Sequence, residues 1–173
     1  MRLKAIALAL TLVTLVFALV AGVVLGNERS RVKASLIGYE ETPSTISTAA
    51  SGEFTATIDE SANPPTINYT LTFANLTGNV LFAHVHFGAR GTTGGVAAFL
   101  CGGGGKPPCM NGVATGTIIP SDVIGPAGQG IAAGEWAELV AAIRAGVAYA
   151  NVHSATWPSG EIRGQINDND QRN

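Results

Sequence analysis

The residues best suited to chemistry in this 173-residue chain are its three histidines, two of which form the run His84-Val85-His86. Side chains alternate between the faces of a strand, so a spacing of two puts both imidazoles on one face and Val85 on the other. His153 closes a second strand-like run, residues 147–154, where it shares parity with Tyr149 and Asn151. If the two strands are neighbours, the three rings converge on one point. Three imidazoles with an open fourth position suit copper or zinc, and Glu161 is a candidate oxygen ligand if its own strand lies alongside. In a plainer reading, His84 and His86 hydrogen-bond to loop backbone or to Glu161 and order the glycine-rich connection at 88–95. The case for a metal rests on the pairing of the strands.

The two cysteines, Cys101 and Cys109, bracket Gly102-Gly103-Gly104-Gly105-Lys106-Pro107-Pro108. In an exported protein this spacing reads as a disulfide closing a short loop, with a two-thiolate metal site as the competitor. Other chemistry finds no support. Pro107 follows Lys106 where a phosphate-binding loop needs Ser or Thr, no Gly-x-Ser-x-Gly elbow is present, and no motif places an acidic pair for glycoside chemistry. Asp168-Asn169-Asp170 lacks the Gly and distal Glu of a calcium loop. Asn68-Tyr69-Thr70 and Asn75-Leu76-Thr77 match the N-glycosylation triplet, whose use depends on the host. No catalytic residue is expected.

The elements that must position these side chains are mostly strands. Runs of period-two alternation bounded by Gly, Pro, Asn or Ser predict strands at 33–39, 52–59, 66–76, 79–87, 95–101, 113–119, 147–154 and 160–167. Trp136, Leu139, Val140 and Ile143 form one helical stripe within 135–145, with Glu135 and Glu138 at the start, Arg144 at the end and Gly146 as the stop. The expected fold is all-β: a Greek-key-like sandwich or barrel of about eight strands with one crossover helix that packs Trp136 on the sheet.

Residues 1–26 read as a targeting segment, since Arg2 and Lys4 precede an uncharged run from Ala5 to Gly26. It reads as a signal peptide cut after Ala21 or Gly26, or as an uncleaved membrane anchor, although Arg29, Arg31 and Lys33 weaken the charge bias an anchor would use. A linker at 27–32, one domain at 33–167 and a flexible tail at 168–173 complete the organisation. Beyond Arg2 and Lys4 the chain carries eight Lys and Arg against twelve Asp and Glu, an acidic balance that disfavours nucleic acid.

One series of motifs runs through nearly the whole span after the leader: Gly38-Tyr39-Glu40-Glu41-Thr42-Pro43, Ala50-Ser51-Gly52, Ala83-His84-Val85-His86-Phe87-Gly88, Tyr149-Ala150-Asn151-Val152-His153 and Gly160-Glu161-Ile162-Arg163-Gly164-Gln165. The series resembles the chordin-type, or CHRD, domain over roughly 33–166, departing from it at Thr42, where the family often has a second Pro or Val. The resemblance implies an extracellular or cell-surface β-sandwich with no established catalytic activity, and its motif residues fall on His84, His86, Asn151, His153, Glu161, Arg163 and Gln165. More distantly, His84-Val85-His86-Phe87-Gly88 resembles the copper-ligand strand of copper/zinc superoxide dismutases. The chain lacks the further histidines and the His-rich zinc loop of those enzymes.

The leading functional expectation is an exported or cell-surface, non-enzymatic binding or structural module for an unknown extracellular partner, touching membrane only through residues 5–26 if they stay uncleaved. The alternatives are a mononuclear copper or zinc protein using His84, His86 and His153, a self-assembling surface or filament subunit, and, least, a dismutase-like copper enzyme. In the metal reading Glu161 would accept the second N–H of one His, and Arg163 would pair with Glu161 or attract an anion.

Overall fold

A computed structural model describes residues 30–110 and 112–168; the expected leader and tail residues 169–173 lie outside them. The strands are β1 (Ser30–Ile37), β2 (Ser51–Asp59), β3 (Thr66–Ala74), β4 (Val80–Phe87), β5 (Gly95–Cys101), β6 (Val113–Ile118), β7 (Ala148–Ser154), β8 (Ile162–Gln165) and the two-residue β9 (Asn167–Asp168), with the helix α1 (Trp136–Arg144) before β7. The first strand begins three residues before the expected start, so residues 30–32 belong to it and not to a linker. Asp168, expected in the tail, pairs with Val32. Among the described residues no helix is long and apolar enough to cross a membrane.

All pairings are antiparallel, in the order β5-β4-β7-β8-β1-β2-β3-β6, and the sheet curls into a nearly closed barrel. Alternation sets the register: Phe54 faces Leu71, Ala56 faces Tyr69 and Ile58 faces Ile67, all turned into one apolar core. A one-residue slip would put each of these on the solvent side. Near the open seam, the Tyr69 hydroxyl donates to the Leu100 carbonyl at 2.6 Å, joining β3 to β5 across the interior. The Cys101–Cys109 disulfide closes the loop that leads from β5 toward β6, and Lys106 in that loop bonds both the Thr117 carbonyl and Asp122.

The helix completes the core. Its buried stripe of Trp136, Leu139, Val140 and Ile143 joins the same apolar cluster as the strands, as expected of a crossover. Gly146, at φ 68°, ends it in the left-handed conformation. The inner faces of β4, β7 and β8 contribute apolar residues to this cluster, Ala83, Val85, Ala148, Ala150, Val152 and Ile162. Their outer faces are also buried, beneath the segments 38–50, 88–94 and 155–161.

Candidate metal centre

The register of β4, β7 and β8 places the sequence motifs side by side. His84 stands opposite Asn151, which stands opposite Arg163; His86 stands opposite Tyr149, which stands opposite Gln165; Phe82 stands opposite His153. Directly opposed residues of an antiparallel pair share a face, so these form three rows on the side of the sheet away from the apolar core. The condition set by the sequence is met: β4 and β7 are neighbours, and His84, His86 and His153 come together.

Each histidine offers a ring nitrogen to a cluster in which the three atoms lie within 4.8 Å of one another. The rings are only 5–7% exposed. His86 Nδ1 lies 3.0 Å from the Gly94 carbonyl and His153 Nδ1 lies 3.0 Å from the Pro158 carbonyl. A carbonyl only accepts, so both Nδ1 atoms carry the proton and both Nε2 atoms present a lone pair. His84 Nδ1 sits 3.2 Å from His153 Nε2. His86 Nε2 is buried with no hydrogen-bond partner.

A backbone carbonyl behind a histidine sets its tautomer and orientation as in a supported ligand. The 3.2 Å between His84 and His153 serves an N–H···N hydrogen bond, with His84 donating. It also matches the roughly 3.3 Å separating two nitrogens on one tetrahedral ion with bonds of about 2.0–2.1 Å. Binding would require His84 to move its proton to Nε2 and His86 to close in.

Aromatic rings wall the cluster. Phe82 packs 5.0 Å from His84 and 4.7 Å from His153 between ring centroids, Phe99 packs edge-on to His84 at 4.4 Å, and Tyr149 stacks on His86 at 4.7 Å. Burial and then the neighbouring imidazoles press His84 down to about 3; burial takes His86 to about 4 and also lowers His153. All three are therefore neutral at pH 7, the state in which imidazole binds metal.

The other motif residues hold the cover over this layer. Arg163 donates to Thr42 Oγ1 at 2.6 Å and to the carbonyls of Thr92 at 2.7 Å and Ala89 at 2.9 Å, and its guanidinium lies 3.5 Å above the centre of the Tyr149 ring. Gln165 reaches the carbonyls of Gly88, Gly146 and Ala148. Gly94, whose carbonyl orients His86, must be glycine, since a Cβ there would fall 1.8 Å from the Phe87 carbonyl oxygen. Asn151 donates to Glu41 Oε1 at 2.5 Å and to the Ile162 carbonyl at 2.8 Å. Burial pushes the Glu41 carboxyl up to about 7, against the pull of Asn151 and Arg163.

Glu161 does not join the cluster. Its carboxylate accepts from Thr48 Oγ1 and from the Thr77 backbone N–H, both at 2.8 Å, tying 38–50 to the end of β3's connection. Burial opposes its charge, but donation from Ser154, Thr77 and Thr48 outweighs this and holds its pKa below the ordinary value. The proposed roles of Glu161 as an oxygen ligand or as acceptor of a histidine N–H are thus replaced, the second by the Gly94 and Pro158 carbonyls. Arg163 bonds Thr42, Thr92 and Ala89 in place of Glu161. The two-thiolate alternative also falls, because Cys101 and Cys109 are bonded to each other.

Sequence reasoning passed over Glu41, Phe82, Phe99 and the stacking role of Tyr149. The parity of Tyr149 with Asn151 and His153 pointed to that face, and Glu41 stood inside a quoted motif. Phe82 shares the parity of His84, whereas Phe99 arrives from another strand with no local signal. No curated protein and no solved structure matches the chain significantly. A family model described as the CHRD domain matches residues 32–166, spanning β1 to the end of the barrel and every residue of this layer, and the chain therefore belongs to the CHRD domain family.

Proposed function

We propose that this CHRD domain is an exported, non-enzymatic binding module whose ligand is a single copper or zinc ion, held by His84 Nδ1, His86 Nε2 and His153 Nε2. The observation that carries the reading is the His86 Nε2 lone pair, buried and unpartnered beside the His84–His153 pair. Leaving such a group unsatisfied costs about 1–3 kcal/mol, which a bound ion would remove. The polar motif residues favour this over a protein partner recognised through them. Asn151, Glu161 and Arg163 are at most 3% exposed, so they face inward and serve the layer around the histidines. Export is supported by the basic, then uncharged, start of the chain and by a disulfide suited to an oxidising space.

The test is elemental analysis of untagged protein after incubation with copper or zinc and removal of excess ion. One equivalent is expected, falling to background when His84→Ala and His153→Ala are combined in a chain whose circular dichroism is unchanged. A stoichiometry near zero in the unaltered protein would remove the reading.

A further inference from the structure

Resting on the three-histidine reading, we infer that the site is selective for monovalent copper, Cu(I), over Zn(II) and Cu(II). The donors are three neutral imidazoles, and among the described residues the ligating cluster contains no carboxylate or thiolate. The two buried carboxylates of the same layer are committed elsewhere, Glu41 to Asn151 and Glu161 to Thr48 and Thr77. The charged group stacked toward the cluster is a cation: the Arg163 guanidinium lies on Tyr149, which stacks on His86, while the two carboxylates bond Asn151, Thr48 and Thr77 and no imidazole.

An ion held here keeps its whole charge in a site walled by Phe82, Phe99 and Tyr149. The cost of moving an ion out of water grows as the square of its charge, so a dication is penalised about four times as heavily as a monocation of equal size. Coordination number acts in the same direction. Zn(II) completes a tetrahedron with a water or a fourth ligand, and Cu(II) prefers a tetragonal set. Cu(I) is satisfied by three nitrogens in a plane, which rings only 5–7% exposed can supply without a solvent ligand. The ion is taken up already reduced, and no electron transfer is involved.

Imidazole sites without special selection follow the usual order, in which Cu(II) exceeds Zn(II) among the divalent ions, so preference for Cu(I) over both is diagnostic. The experiment is an anaerobic competition on the purified full chain, with bicinchoninate buffering Cu(I) and metallochromic indicators buffering Zn(II) and Cu(II), followed by X-ray absorption of the copper-loaded protein. Cu(I) is expected to bind one per chain at least about a hundredfold tighter than either divalent ion, with three nitrogen neighbours. Phe82→Asp, which sets a carboxylate beside His84 and His153, should narrow that gap about tenfold. If Phe82→Asp does not fold, the comparison on the unaltered chain decides alone. Equal or tighter binding of Zn(II) or Cu(II) overturns the selectivity and leaves the three-histidine site standing. Failure of all three ions to bind overturns both.

Discussion

The two halves of the barrel treat the same strand pattern in opposite ways. Along β2 and β3 alternate residues are buried, and Thr55, Asn68, Thr70 and Thr72 stand in water on the outer face. Along β7 and β8 every residue is buried. The inner faces are alike, apolar and continuous in one core; the difference lies outside. An uncovered antiparallel sheet needs only polar residues of high strand propensity on its outer face. A covered one needs a partner for every donor and acceptor, and this is what Arg163, Gln165, Asn151 and Glu161 provide for the segments folded over them. Two buried acceptors of this covered layer are left without a partner, Gln165 Oε1 and His86 Nε2, and the second belongs to the imidazole cluster.

The sharpest way to break the comparison is to remove the clamp. Arg163→Met keeps the bulk and strips three hydrogen bonds and a cation–π contact, taking the donor from the Thr92 carbonyl and leaving that of Ala89 held only by Thr92 of its own turn. A loss of about 3–5 kcal/mol in urea unfolding is expected, with early amide exchange at 88–94. A loss below about 1 kcal/mol would show that the cover does not depend on Arg163.

Next comes Glu41. A carboxyl raised from 4.5 to about 7 binds its proton more tightly in the folded state, so its contribution is full below pH 4.5 and is lost as pH rises through 7. Glu41→Gln should therefore stabilise the protein by about 3 kcal/mol at pH 8 and by almost nothing at pH 4, measured as urea midpoints across that range. The histidines have the opposite sign. Their depressed values give stability that is present above 6.5 and lost as pH falls toward 4 and then 3, so the Gln variant should show a stability that only rises with pH. A profile still falling between pH 5 and 8 would contradict the assignment to Glu41.

Replacing Cys101 and Cys109 by serine loosens the seam where the covered half meets the open one. With a sequence separation of eight, chain entropy predicts a loss of about 2–3 kcal/mol in thermal unfolding with the histidine layer intact. Loss of metal binding as well would mean that the loop, whose Gly103 and Gly104 lie against Phe99, supports the histidines directly. The smallest effect belongs to the open face: Thr70→Ala should change stability by no more than about 0.5 kcal/mol, and a larger cost would mean that this face too has a cover.

Much of this was legible in local pattern. Gly95–Cys101 appears where alternation put it, and the other principal strands and the helix shift by a few residues at their ends, most at 160–167, where Ile166 interrupts β8 and β9. The faces of His84, His86 and His153 were read correctly because parity is a local property. Glu161 was misjudged because Gly160 and Glu161 precede β8, so its side chain left the row that strand parity would have given it. Tyr149 and Glu41 take their roles from contacts with Arg163 and Asn151, which no short window of sequence contains.

By itself the sequence determined which residues alternate, where the chain turns, which cysteines bond and on which face each imidazole stands, since these follow from neighbours along the chain. Only the tertiary structure decided that β7 lies between β4 and β8, bringing together His84 and His153 across 69 residues, and that three loops close over them. Pairing of distant strands is chosen by the burial of a whole core and the satisfaction of every polar group in its cover. The same collective choice made a metal-competent cluster out of three separate histidines.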